Sequence, residues 1–202
     1  MRTRDDPNFD KDFNWATDVM QPIAIAKIYR TVWPGASIES ADKEGPGSIG
    51  QFMDFAGCDK LIRVRGGKGY AFGLAQRFRR WDDRRYQDFT IRVLEWHKNS
   101  KAWHEGAIAP GFYAYGIANE DETDFHQMWI IAFRKFVEWA LGNPLPRVQM
   151  NPGQSHERGF YPWPFALMPT DLVFHYYGSL PSSPPTFALP MPSFTPTQGI
   201  LF

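Results

Sequence analysis

The sequence predicts an α/β fold: a central mixed β-sheet of about five strands flanked by helices, with a proline-rich C-terminal tail. Three observations carry this. Of the 202 residues, 43% are hydrophobic and 16% aromatic, enough for a sizeable core in one domain. Segments near 60–65, 70–80, 88–96 and 111–118 show the alternation or the short apolar runs of strands. Residues 15–33 carry apolar side chains at helical spacing, and 125–141 is apolar almost all round over a helical length.

Residues 1–14 are polar and acidic and read as an arm; 15–180 form the domain and 181–202 the tail. In "WATDVMQPIAIAKIYRTVW" (15–33), Val19, Ile23, Ile25, Ala26 and Tyr29 have helical spacing, and Pro22 marks a helix start or a kink. "PGASIESADKEGPGSIG" (34–50) is rich in turn formers and reads as a loop. Three strands follow, then "GFYAYGIA" as a fourth. "NEDETD" gathers acids where they favour the positive end of a helix dipole, and Thr123 or Asp124 can cap that helix. The helix is "FHQMWIIAFRKFVEWAL", apolar almost all round and so largely buried, ended by Gly142 and Pro144. This structural role for the acids stands ahead of metal binding. "GFYPWPFALMPTDLVFHYY" reads as irregular packed chain, then a short strand around 171–177. The last 22 residues hold six prolines and read as extended or polyproline-like chain. Their Phe187, Leu189, Met191, Phe194, Ile200, Leu201 and Phe202 predict docking in an apolar groove, on this domain, on a second copy or on a protein partner.

Formal charge is zero, so bulk electrostatics selects no partner, but the distribution is uneven. Residues 60–85 hold Lys60, Arg63, Arg65, Lys68, Arg77, Arg79, Arg80, Arg84 and Arg85 against Asp82 and Asp83, a net +7. That is the footprint of a polyanion site; a solvated strand face with arginine stems over apolar surface is the alternative. Trp81, between two arginine pairs, is placed to stack a base while the arginines hold phosphates. Cys58 is the single cysteine, which excludes internal disulfides and multi-cysteine zinc sites and points to a reducing, cytoplasmic setting. "MRTRDDPNFD" lacks a signal-peptide apolar run, and no stretch reaches the roughly 18–20 apolar residues of a membrane span. "GGKGYAFG" lacks the Walker ending, His97, His104 and Glu105 lack zinc spacing, and no nucleophile elbow occurs.

The stretch "GCDKLIRVRGGKGYAFGLAQRFRR" (57–80) reads as a hairpin whose register follows from alternation. Ile62 and Val64 share one face of the first strand; Tyr70, Phe72 and Leu74 share one face of the second. Matching these faces requires a loop of odd length, and the five residues 65–69, with three glycines, suit it. Val64 then opposes Tyr70, Ile62 opposes Phe72, Leu61 opposes Gly73 and Asp59 opposes Ala75. A four-residue loop would split the apolar faces and bring Leu74 opposite Asp59. In the preferred register Asp59 and Arg77 are diagonal neighbours on one face.

These residues resemble the restriction-endonuclease-like PD-(D/E)XK nuclease superfamily, in which an aspartate opens one hairpin strand and an acid-x-lysine triplet lies on the next. "GCDKLIRV" looks like the aspartate strand, "GLAQRFR" the triplet strand, "DFTIRVLEW" the strand that often follows, and "FYAYGIANEDETDFHQMWII" the later strand and helix. The resemblance covers about 54–135 and implies Asp59 as a Mg²⁺ or Mn²⁺ ligand and Arg77 in the lysine place, with Ala75 where the acid belongs. One aspartate holds Mg²⁺ poorly, and arginine cannot serve as a base at neutral pH. The second acid is sought at Glu39, at Asp54 before the hairpin, or at Glu95 at the end of the third strand. Glu95 has core parity unless a bulge rotates it; rotated, Glu95 and Lys98 supply a displaced acid and lysine. The expected function is a nuclease-like protein that binds nucleic acid, DNA ahead of RNA, and hydrolyses phosphodiesters with a divalent metal. Asp59, Arg77 and Glu95 are its catalytic candidates and Asp59, Glu95 and Asp54 its metal ligands. Arg63, Arg65, Lys68, Arg79, Arg80, Trp81, Arg84 and Arg85 form its binding face. The competing expectation is a non-catalytic subunit of a larger assembly.

Overall fold

The structure, a computed structural model, describes residues 9–40, 58–64, 70–105, 110–150 and 159–178. The tail 181–202, and with it the docking expectation, lies outside the described residues, as do Asp54, Arg65 and Lys68. The chain forms one helical run, residues 9–32 (α1), then strands β1 (Ser37–Ser40), β2 (Lys60–Val64), β3 (Tyr70–Arg79) and β4 (Asp88–Arg92). Helix α2 (Val93–His104), β5 (Phe112–Ala118), β6 (Phe125–Ala132), helix α3 (Phe133–Leu141), β7 (Phe160–Pro164) and β8 (Val173–Gly178) complete it. The α/β class with a central mixed sheet is therefore observed, with six strands in the order β1-β2-β3-β5-β6-β8. All neighbours are antiparallel except β3 and β5, whose parallel pairing is closed by the crossover through β4 and α2. β4 and β7 form a separate two-stranded sheet.

Period-two alternation places the two cores. Ile62, Leu74, Phe112, Ala114, Met128 and Ile130 face α1, whose Met20, Ala24, Ile28 and Tyr29 are fully buried against them. Ala75, Tyr113, Tyr115, Ile117, Trp129 and Ile131 face the other way, onto Phe89 and Ile91 of β4, Trp96 of α2 and Phe136 of α3. The sheet is thus the middle of three layers, with α1 on one side and α2, α3 and the small sheet on the other.

Several expectations are corrected. Helix α1 starts at Phe9, so the polar arm does not extend to residue 14. Of the two readings of Pro22, the helix start is overturned: Pro22 lies inside the run, where two π-helical segments, Trp15–Met20 and Ala24–Tyr29, flank its short α-helical turn. There Gln21 N–H reaches back to the Ala16 carbonyl, a register shift that accommodates a proline with no N–H to donate. The loop 34–50 contains β1, and the stretch read as irregular contains β7.

The largest correction concerns 125–141. Phe125–Ala132 is strand β6, and only Phe133–Leu141 is helical. β6 lies between β5 and β8 with both faces covered, so its apolar run has no period to distinguish it from a buried helix. The acids before it occupy the β5–β6 turn. There Asn119 Oδ1 accepts the N–H groups of Thr123 (2.9 Å) and Asp124 (3.0 Å). Asp124 accepts from Lys27 Nζ (2.6 Å) and the Tyr177 hydroxyl, tying the turn to α1 and β8.

Candidate active site

The hairpin register is the one read from alternation: Val64 opposes Tyr70, Ile62 opposes Phe72 and Leu61 opposes Gly73. β2 ends at Lys60, and Asp59 continues the pairing by other means. Its N–H donates to the Leu74 carbonyl (2.9 Å), and its Oδ2 accepts the Gln76 N–H (2.5 Å). Asp59 thereby stands beside β3 where β2 stops, exposed to solvent, one position past the buried Lys60 and its hydrogen bond to Ser40 Oγ.

On the next strand Ala75 is buried, and its neighbour across the parallel pairing is Tyr113. Tyr113 is 3% exposed, packed edge-on against Phe89 and tilted on Phe133. Its hydroxyl reports the local field. Burial, then the negative charge of Glu95, push it well above the usual tyrosine range; Arg77 opposes, and Asp59 adds to the rise.

Glu95 leaves the core face because β4 stops at Arg92. The third strand does not continue to residue 96; it turns into α2 at Val93, and Val93, Trp96 and Asn99 are the buried helical positions. The strand-to-helix switch supplies the rotation that Glu95 needs to leave core parity. Lys98, one turn on, acts on Cys58 beside Asp59: burial first, then Asp59, push the Cys58 thiol up to about 12, with Lys98 opposing. Cys58 is thus a protonated, buried side chain at neutral pH. Glu39, the other upstream acid, pairs with Arg63 instead (3.2 Å).

Arg77 and Arg79 turn to β4. Arg77 Nη1 donates to the Thr90 carbonyl (3.2 Å), and Arg79 Nη2 donates to Thr90 Oγ1 (2.7 Å) while its guanidinium lies 5.6 Å from the Tyr115 ring centroid. Arg79 is only 12% exposed. Asp88 lies in their field with a buried Oδ1 that has no hydrogen-bond partner among the described residues. Burial pushes its carboxyl up, with Arg79 and Arg77 opposing. A carboxyl raised on folding binds its proton more readily in the folded state, so its contribution to stability falls as pH rises through the raised value. Asp88→Asn is therefore expected to raise Tm at pH 7 relative to wild type, with the difference shrinking toward pH 4. A variant uniformly less stable at both pH values would contradict this account.

The remaining basic residues divide. Arg80 pairs with Glu122 (2.5 Å) and Asp12 (3.8 Å) and lies 4.4 Å over the Trp15 ring, so it fastens α1 to the sheet. Arg84 lies 4.1 Å over Trp81, and Arg85 lies 4.9 Å over Tyr86, both on the exposed side of the short turn Trp81–Arg85. Trp81 itself packs edge-on against His126 (4.9 Å). Sequence reasoning did not single out Tyr113 or Tyr86; the signal for Tyr113 was its place in "GFYAYGIA" beside the missing acid, visible only once β3 and β5 are paired.

His97 and His104 on α2 and Glu105 just after it are exposed, and among the described residues no three His, Cys, Asp or Glu side chains gather as a metal site. No helix among the described residues is long and apolar enough to cross a membrane. No protein-family model matches the chain, and no curated protein or solved structure matches it significantly.

Proposed function

We propose that the protein is a nuclease-like, nucleic-acid-binding protein that hydrolyses phosphodiester bonds at Asp59 and Glu95 with a divalent metal. The observation that carries this is the hairpin: its register is the one read from the sequence, and Asp59 stands exposed beside β3 where β2 stops, bonded to the Leu74 carbonyl and the Gln76 N–H. The order of elements around the hairpin supports a restriction-endonuclease-like reading: a helix, an antiparallel meander β1–β2–β3, a crossover helix and a parallel β5. The acid absent at Ala75 is supplied from α2, and Lys98 stands one turn further along the same helix.

Two carboxylates with no sulfur or imidazole fit the donor set of Mg²⁺ or Mn²⁺, which bind through one or two carboxylates and complete their coordination with substrate phosphate and water. A cation held there supplies Lewis-acid charge at the scissile phosphate. The chain's own groups do the rest. Asp59 and Glu95 would hold the cation, and Arg77 and Lys98 would place positive charge beside the phosphate. DNA is the proposed partner, gripped by Arg84 and Arg85, which no carboxylate neutralises among the described residues.

Binding should be salt-dependent through about four to six phosphates. Reversal at Arg84 and Arg85 should lower the slope of log affinity against log salt by about two while leaving Tm unchanged. Arg80→Glu should instead lower Tm, because it frees Trp15 and the acids around it. Mn²⁺-dependent cleavage of labelled single-stranded and duplex DNA tests the enzyme reading. Wild type that binds DNA but cuts neither form under any metal would leave the non-catalytic subunit as the function.

A further inference from the structure

The turn between β3 and β4, Trp81–Arg85, carries rings and guanidinium groups at the surface on a fixed frame. Backbone bonds set its shape: the Asp83 N–H donates to the Arg80 carbonyl (3.0 Å), and the Tyr86 N–H to the Asp83 carbonyl (2.9 Å). Gln87 Nε2 ties it to the sheet, donating to the Arg84 carbonyl (2.9 Å) and to Oε1 of the buried Gln127 on β6 (3.2 Å). On this frame stand two aromatic–guanidinium pairs. Arg84 lies over Trp81 and donates to its carbonyl (3.2 Å); Arg85 lies over Tyr86 and donates to its hydroxyl (3.0 Å). Tyr86 stays 41% exposed with Arg85 over one face of its ring. Of the two acids in the turn, Asp83 faces Arg79 (4.0 Å), and among the described residues neither acid pairs with Arg84 or Arg85.

We infer that this turn binds single-stranded DNA, with an unpaired base stacked on Tyr86 and the adjoining phosphates held by Arg84 and Arg85. The inference rests on the nucleic-acid-binding reading and adds the form of the strand. A guanidinium laid flat on a ring is already ordered, so less side-chain freedom is lost when it meets a phosphate. An open ring beside it offers a base its whole face, and every base has such a face, so the contact reads no sequence. In a duplex the bases cover one another and show only their edges in the grooves. A duplex therefore gains from the arginines alone, whereas a single strand gains from the arginines and the ring together.

The test measures binding of the full chain by fluorescence anisotropy, with EDTA present so that no strand is cut. The probes are labelled oligothymidylate, an abasic strand of the same length and charge, and a duplex. Wild type should hold oligothymidylate roughly tenfold more tightly than the abasic strand, the worth of one stacked base. Tyr86→Ala should remove that difference and leave abasic-strand and duplex affinity unchanged, whereas Tyr86→Phe, which keeps the ring, should retain it. Thermal unfolding checks the fold; Tm should hold in both variants, because the bond from the Tyr86 N–H is backbone. Equal wild-type affinity for the base-bearing and abasic strands would overturn the inference and leave nucleic-acid binding standing as a purely electrostatic contact. Unchanged oligothymidylate affinity in Tyr86→Ala would overturn it as well, and so would loss in Tyr86→Phe equal to that in Tyr86→Ala. Wild type that binds none of the three probes would overturn both this inference and the nucleic-acid reading, and would leave the turn to a protein partner.

Discussion

Asp59→Asn and Glu95→Gln are each expected to lower metal-dependent DNA cleavage by on the order of 10²–10³-fold, and the double variant is expected to be no worse than either single one. The reason is that two ligands acting on one centre fail together: removing the first leaves little for the second to do. Neither substitution should unfold the protein. Asparagine at 59 still offers an oxygen to the Gln76 N–H, and the Asp59 N–H to Leu74 is backbone. Glutamine at 95 removes a favourable charge from the first turn of α2, worth a few tenths of a kcal/mol. Rates measured with Mn²⁺ on single-stranded and duplex substrates decide the matter. If Asp59→Asn cuts as fast as wild type, the hairpin is not the catalytic element. If only Glu95→Gln is active, Asp59 acts with a different acid.

What was legible in the sequence follows from what alternation can encode. The β2–β3 register was readable because Ile62, Val64, Tyr70 and Phe72 each prefer one face and the glycine-rich loop fixes the count between them. β6 was not readable as a strand, because burial on both faces removes the period on which the assignment depends. The partnership of β4 with β7 pairs Phe89 with Trp163, residues over seventy positions apart, and no local pattern announces a contact at that separation. The site shows the same division. The place of Asp59 beside β3 was readable from its hairpin, and the side of β3 that Arg77 takes from its parity. Glu95 was named, but its position was misassigned, because "DFTIRVLEW" continues smoothly across the point where strand becomes helix. The break is visible only in the spacing Val93, Trp96 and Asn99, which is helical and begins where the strand alternation of Phe89 and Ile91 ends.

That same layer makes the second large effect. Phe136→Ala is expected to destabilise the protein by about 3–5 kcal/mol, the range for emptying a buried aromatic site. Phe136 is fully buried on α3, and its ring meets Phe89 of β4 (4.9 Å), Trp96 of α2 (6.3 Å) and Trp163 of β7 (5.1 Å). It is thus the side chain through which α3, α2 and the small sheet are packed into one layer. Rings of this size and rigidity do not collapse readily into the space left behind, so the cavity persists. At 2–4 °C per kcal/mol for a chain of this length, Tm should fall by roughly 6–20 °C. Leu167→Ala provides the contrast: that side chain is 71% exposed, and its loss should stay within about 0.5 kcal/mol. The packing argument also links stability to the site. Trp96 is the residue after Glu95, so loosening its seat on Phe136 shifts the helix that carries the proposed second acid. Conditions under which Phe136→Ala remains folded should therefore show cleavage reduced beyond the unfolded fraction, measured by comparing specific activity with the folded population from urea unfolding. Stability within 1 kcal/mol of wild type would mean that the layer is held elsewhere, and full specific activity in the folded fraction would detach Glu95 from that packing.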